Sequence, residues 1–304
     1  MILKKKIINS LFAAVFLLNL SGCSRSFSAQ AVNEMRFNLD TISDVTISYD
    51  EENITFFQSD NDELIIKEYM SKSKSSYNAD VKQGSASIHI SEGGKPFLKG
   101  NFTRYIEVYF PEKYHENLIV STTNGKIEMS DMVFHLNSFC IDSTAGTIQI
   151  NDANASIIHL TSTSGKLDLG KITGKQIKIN TTSATVDCAQ LNGAVSYIST
   201  SGNINVKSAA GSGTYQVNNS GKLKVTYIEV TDDLSFFNKN ENIELTLPHN
   251  LEFDFEAATK NGSVSTSFQD CISVDGQSIH GIVGSAPTVK VKTETKNGNI
   301  EVLQ

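Results

Sequence analysis

Charged side chains spaced for chemistry recur along this 304-residue chain. Glu128, Asp168, Asp187 and Glu301 each lie between two apolar residues, so on a strand they face solvent from successive copies of one pattern. Carboxylates gathered in one groove, commonly with Ca²⁺ or a basic residue, are what a polysaccharide lyase or hydrolase requires. The equivalent positions in intervening copies are Gln149, Asn205 and Lys224, so this row is mixed rather than concentrated. Tryptophan, a common platform for sugar rings, is absent. Asp60, Asp62 and Glu63 form a second acidic cluster, but an EF-hand loop would need glycine at 65 and glutamate at 71, where the chain has Ile65 and Ser71. The histidines are scattered singly, and His89 and His159, each between apolar residues, point outward without a paired ligand or an HExxH spacing. No G-x-S-x-G elbow occurs, and NGK and SGK lack the rest of a phosphate-binding loop. The reading therefore assigns no catalytic residue, no metal and no cofactor. It leaves Lys126, Lys166, Asp168 and Lys222 as exposed charges that a partner could touch, each contributing little.

The elements that carry these charges repeat. Gly125, Gly146, Gly165, Ala184, Gly202 and Gly221 stand 21, 19, 19, 18 and 19 residues apart, and Gly262 and Gly298 follow after 41 and 36. A fixed period near 20 marks stacked repeats. Two and four residues after the glycine come apolar pairs: Ile127/Met129, Ile148/Ile150, Leu167/Leu169, Val186/Cys188, Ile204/Val206, Leu223/Val225 and Ile300/Val302, with Val264/Thr266 a poorer copy. That is a strand with one buried face. Three residues before the glycine stands a small polar residue: Thr122, Ser143, Ser162, Thr181, Ser199, Asn218, Thr259 and Thr295. Such a side chain at a bend can hydrogen-bond the next copy or backbone that lacks a ladder partner, and the glycine marks a bend with positive φ. The expected fold is all-β: a β-solenoid of coils of about 19–20 residues with parallel strands between coils, behind a less regular N-terminal β cap. Asn-Gly between alternating runs also suits the alternative, antiparallel hairpin repeats. In the cap, strands are expected over 44–50, 54–59, 63–69, 85–91 and 104–110, hiding the first open edge.

The N-terminus reads as an address. Lys4, Lys5 and Lys6 precede an apolar run of 14 residues, 7–20, too short for a comfortable bilayer span. Leu20-Ser21-Gly22-Cys23 then resembles the lipobox of bacterial lipoproteins. By that resemblance 1–22 is a lipoprotein signal peptide, Cys23 is the lipidated new N-terminus, and two acyl chains hold the protein to the extracytoplasmic face of a cell membrane. Residues 23–35 read as this cysteine and a tether, 36–117 as the opening strands, and 118–304 as the regular repeats. Without the leader, 23 basic side chains face 33 acidic ones and arginine is limited to Arg25, Arg36 and Arg104. An acidic, arginine-poor chain is a poor grip for phosphate backbones, which excludes nucleic acid as a partner. Cys140, Cys188 and Cys271 are an odd set at wide spacings and not a disulfide framework.

The repeats, the opening strands and the ending TKNGNIEVLQ together resemble a family of provisionally named adhesins built on a domain of unknown function, DUF4097. The likeness covers roughly residues 36–304 and rests on T-x-x-G followed by alternating apolar residues; Ala184 in the glycine slot and the blurred stretch 227–257 depart from it. It implies an exported, non-enzymatic binding or scaffold module that meets a cell-envelope protein or polysaccharide. An envelope-stress component that binds cationic peptides or a membrane partner is the alternative it leaves open.

Overall fold

The computed structural model describes residues 29–98, 100–268, 272–275 and 277–304, the short piece 272–275 by its backbone alone. The stretch read as a signal peptide, Cys23 and Cys271 lie outside the described residues. Strands β9 (Lys126–Ser143), β10 (Thr147–Ser162), β11 (Lys166–Thr181), β12 (Thr185–Ser199), β13 (Ile204–Val217) and β14 (Leu223–Asn238) are one coil each and stack in parallel, in sequence order. Their alternation of buried and exposed residues slips phase twice in β9, β10 and β11, and β12, β13 and β14 follow the same course in register with them. In β9 the slips fall at Ser130–Asp131 and Asn137–Ser138. Each coil therefore bends twice without leaving the β conformation, and a third bend at the glycine closes it into three short faces around one core. This is the solenoid expected from the repeats; the hairpin alternative survives only at the two ends.

The core is built from the expected apolar pairs. Ile127, Met129, Ile148, Leu167, Val186, Cys188, Ile204, Val206, Leu223, Val225, Ile300 and Val302 are all buried. Larger rings fill the third face, where Tyr215 and Phe236 stack in parallel at 4.7 Å between centroids. Val264 and Thr266, the poorer copy, lie on an outermost strand and are only half-buried, because no further coil covers them.

Both ends are woven. The remaining opening strands are β1 (Gln30–Asn38), β2 (Asp44–Tyr49), β3 (Asn53–Ser59), β4 (Glu63–Met70), β5 (Asp80–Gln83), β6 (Ser87–Ser91), β7 (Arg104–Pro111) and β8 (Asn117–Thr122). The closing ones are β15 (Ile243–Thr246), β16 (Phe253–Thr259), β17 (Val264–Thr266), β18 (Ile272–Asp275), β19 (Ser278–Val283), β20 (Val289–Thr295) and β21 (Ile300–Leu303). The chain lays β2 and β3 first, moves outward, returns as β6 and β7 on their outer side, then steps over them to β8 and β9. At the far end β16 and β17 are laid outermost, and β20 and β21 return to fill the space between them and β14 and β15. Antiparallel strands cover the two ends: β4 and β1 against β7, β5 against β6, and β19 and β18 against β16. The opening segment is thus two full parallel rungs plus a cap, more than the cap expected. The blur over 227–257 and the spacings of 41 and 36 have the same origin, since consecutive glycine corners there are not consecutive rungs.

The tether read at 23–35 is shorter than expected. β1 begins at Gln30 and pairs with β4 along its whole length. Its sequence QAVNEMRFN carries a weak strand signal, because an edge strand over a cap buries no position fully and only Met35 and Phe37 mark its inner face.

Candidate functional site

The glycine corners stack into a single edge of the molecule. The polar column there is Thr122, Ser143, Ser162, Thr181, Ser199, Val217, Asn238, Thr295 and Thr259 in order of stacking. Nearly all point inward and cap the bend. The N–H groups of Gly125, Gly146 and Gly202 donate to the hydroxyls of Thr122, Ser143 and Ser199 at 2.9, 3.1 and 2.6 Å. Thr259 donates to the Gly298 carbonyl at 2.9 Å, and Asn238 Nδ2 to the Gly221 carbonyl at 2.7 Å. Asn218 was expected in this column, but it is exposed and the buried Val217 takes the slot, because that corner is one residue longer. Positive φ occurs at Gly165 (100°) and Gly221 (153°) among these corners. At Gly125, Gly146, Gly202, Gly262 and Gly298 the requirement is instead space: a Cβ would collide with the carbonyl oxygen of the rung beneath. Outside this column asparagines form their own ladder, Asn261 to Asn297 at 2.7 Å, Asn297 to Asn240 at 2.7 Å and Asn240 to Asn219 at 3.3 Å.

The face that follows the corner carries the charges singled out from the sequence. Glu128, Gln149, Asp168, Asp187, Asn205, Lys224, Glu244 and Glu301 are one column across the strands. Lys126 and Lys166 flank it two rungs apart, and Lys222 stands exposed at the corner before β14, three rungs beyond Lys166. The structure therefore brings Lys166 and Asp168 together and leaves Lys126 and Lys222 apart from them. Lys126 pairs with Glu128 at 2.7 Å, Lys166 with Asp168 and Asp187 at 3.3 Å each, and Lys224 with Glu244 at 2.7 Å. The hydrogen bond to Asp168, then that to Asp187, raises the Lys166 ammonium above its ordinary value. These are solvent-exposed pairs, each of small worth and open to exchange with an outside ligand.

Two features of the surface were not read from the sequence. Gly174, Gly193 and Gly211 form a second glycine column at the middle bend, and Gly174 and Gly193 line a shallow groove with Asn154, Thr173 and Asn192. Its signal was present as spacings of 19 and 18 between these glycines. The other feature is the outer face of the N-terminal end. Tyr69 stacks on Tyr105 at 4.5 Å and Phe57 on Tyr109 at 5.3 Å, while Tyr69 and Tyr109 both donate to Glu107, at 2.8 and 3.0 Å. Beside it a charged cluster is sealed under the first corner. Arg104, with no exposed side-chain surface, pairs with Glu52 at 3.0 Å and Glu92 at 2.6 Å, and Lys95 joins them. Residues 92 and 104 flank one corner, but Glu52 comes from another rung, and only the woven order of strands brings it to them.

With these rungs placed, their order can be set beside known families. A family model described as Toastrack DUF4097 matches residues 42–303. The chain belongs to the Toastrack DUF4097 family. Among solved structures, a provisionally named adhesin from Parabacteroides distasonis is 10% identical at a TM-score of 0.44, with 88% of this chain and 96% of that one covered. One from Parabacteroides merdae is 12% identical at a TM-score of 0.39, covering 90% and 96%. A provisionally named cell adhesion protein from Clostridium sporogenes is 12% identical at 0.28, covering 90% and 99%. No curated protein matches the sequence.

On this Toastrack scaffold, histidine, cysteine, aspartate and glutamate do not gather in threes fit to hold a metal ion among the described residues. His89 and His159 point outward as expected, and His159 Nε2 lies 3.2 Å from the Asn180 amide. Asp62 pairs with Lys113 at 2.7 Å and Glu63 with Arg36 at 3.4 Å, both on the surface. The cysteines separate by phase. Cys188 is buried in the inward slot, and burial pushes its thiol up to about 12, whereas Cys140 is half-buried on the outer side and its thiol is raised chiefly by partial burial, then by Asp142. Thiolate is the reacting form. In a Cys271→Ser background, maleimide at pH 8 should therefore label Cys140 at least tenfold faster than Cys188, as read by peptide mass. Equal rates would mean that the Toastrack core opens on the labelling timescale.

Proposed function

We propose that this Toastrack domain is a non-catalytic binding or scaffold module held by lipid on Cys23 at the extracytoplasmic face of a bacterial cell membrane. One observation carries the binding half: the outward charges form a ladder of short, exposed ion pairs spread over successive rungs, with no acid, base and nucleophile converging on one point among the described residues. A repeating ligand suits such a ladder, because strand spacing of about 4.8 Å sets a regular pitch for many weak contacts. Lys126, Lys166 and Lys222 stand on this edge among at least as many carboxylates, so the partner proposed is a cell-wall polysaccharide held by many weak contacts rather than by net charge. The anchoring half rests on the leader and on Leu20-Ser21-Gly22-Cys23.

Binding of purified full-length protein to isolated cell-wall polysaccharide measures this directly. Alanine at Lys126, Lys166 or Lys222 alone should weaken binding by about threefold or less, whereas glutamate at all three together should abolish it. Cleavage of the polysaccharide, removed by Asp168→Asn alone, would replace this reading with a lyase-like enzyme.

A further inference from the structure

The outermost corner at the N-terminal end differs from its counterparts. Between β8 and β9 the bend takes three residues, 123–125, whereas between β6 and β7 it takes twelve, 92–103. The stem of this long corner is braced. Gly94 N–H donates to the Ser76 carbonyl at 2.8 Å, Arg104 Nη1 to the Tyr77 carbonyl at 2.8 Å, and Phe102 packs edge-on against Tyr77 at 5.6 Å. Lys95, lower on the same corner, is held by Glu92 and Glu52. Beyond this stem Phe97 is fully exposed and Leu98 is 80% exposed, more than any other large apolar side chain of the described residues. A braced stem that lifts two bare apolar side chains into water costs free energy unless something covers them.

The position of the tip indicates what covers it. Gln30, where β1 starts, is the lateral partner of Met70, and Met70 is the partner of Arg104, the residue that ends the long corner. The chain from Cys23 thus enters the fold two strand spacings, about 10 Å, from the corner that carries Phe97 and Leu98. The seven links from Cys23 to Gln30 reach at most about 24 Å, so a lipid on Cys23 keeps this end of the molecule close to the bilayer. Exposed Lys72 and Lys74 follow β4 at the same end, in the segment that braces the stem, although the chain as a whole carries a net charge of −7. The nearby acidic side chains are largely engaged: Glu52 and Glu92 by Arg104 and Lys95, while the half-exposed Glu51 lies 3.9 Å from Lys95. Apolar side chains at a tip with lysines beside them suit an interface of acyl chains under anionic headgroups.

We propose that Phe97 and Leu98 insert into the membrane to which Cys23 is anchored, seating the solenoid on its N-terminal end. This rests on the lipid-anchor reading, and the test separates the two. The chain has no tryptophan, so Phe97→Trp gives a single reporter. In full-length protein reconstituted into phosphatidylethanolamine–phosphatidylglycerol vesicles, the indole emission of the Phe97→Trp variant should shift to the blue and be quenched by brominated acyl chains. Ile228→Trp, exposed on a distant coil, should remain water-like and unquenched in the same vesicles. Vesicle-bound Phe97→Trp protein whose emission escapes quenching overturns the insertion and leaves the anchor standing. Loss of stable vesicle binding on Cys23→Ala supports the anchor, and the same Cys23→Ala chain then measures the tip alone in a lipid titration. There Phe97→Ser with Leu98→Ser should weaken partition roughly tenfold or more, and no change would overturn the insertion whether or not Cys23 carries lipid.

Discussion

Replacing Gly146 by alanine is expected to destabilise the protein by about 3 kcal/mol or more. The argument is steric. A Cβ at Gly146 would collide with the carbonyl oxygen of Gly125, a backbone atom that cannot rotate away. Moving the corner outward would strain the bonds that bind the stacked bends: Ala145 N–H to the Thr123 carbonyl at 2.8 Å, Gly146 N–H to Ser143 at 3.1 Å, and Ser164 N–H to the Thr144 carbonyl at 2.7 Å. The corner that does carry a methyl, Ala184, stacks over Gly165, whose φ of 100° sets it apart from its neighbours. Ala184→Gly should therefore cost less than about 1 kcal/mol, the ordinary backbone-entropy difference. Urea denaturation of both variants decides the matter. A Gly146→Ala protein with an unchanged midpoint would show that the stacked corners are looser than their geometry.

Arg104→Met is expected to cost about 3–5 kcal/mol, since it leaves two carboxylates under the first corner with one partner fewer. The Arg104, Glu52 and Glu92 side chains expose 0%, 6% and 11% of their surface, so water cannot make good the loss. Adding Glu52→Gln and Glu92→Gln to Arg104→Met should recover part of the stability, because the charges that Arg104 compensates are then gone. Lys113→Ala, which breaks the exposed pair with Asp62, should leave the denaturation midpoint unchanged and serves as the control. A loss below about 1 kcal/mol for Arg104→Met would mean that the cluster is ornamental to the cap. A second buried carboxylate lies close by: Glu68 accepts from Tyr49, Asn33 and the Ala79 N–H at 3.2, 2.7 and 2.8 Å. Burial, and then the Glu68 charge, holds the Tyr49 phenol well above its usual value.

The middle of the molecule was legible because its information is local. Period, inward pairs and corner polar residues all fall within about 20 residues, and each copy restates them. Ile127, Leu167 and Val225 could therefore be placed without knowing which coil lies next to which. The ends were not legible in this way. Nothing near Phe253 announces that Val289–Thr295 will slide in beside it, because strand pairing at that range depends on competition between edges rather than on pattern. Corner glycines were read as needing positive φ, but most are required by the carbonyl beneath, a contact between residues of different rungs that periodicity alone does not reveal. Among the candidate contacts, alternation placed Lys126, Lys166 and Asp168 on the surface. It could not show that they would already be paired with Glu128 and Asp187.

The woven ends also bear on how such a molecule can change its length over generations. An ordinary stack can gain or lose a unit at either tip. Here the outermost rungs are β6 with β7 and β16 with β17, and neither is the first or last to be laid down. Trimming the chain from its C-terminus would extract β20 and β21 from between two rungs and leave a gap there, so end-wise shortening destroys the stack. Duplication or deletion of a whole period between residues 147 and 222 meets no such obstacle, because β10, β11, β12 and β13 pair only with their neighbours in sequence. The length of the stack is thus a quantity that can be inherited in steps of one strand spacing, about 4.8 Å, and only from the centre outward.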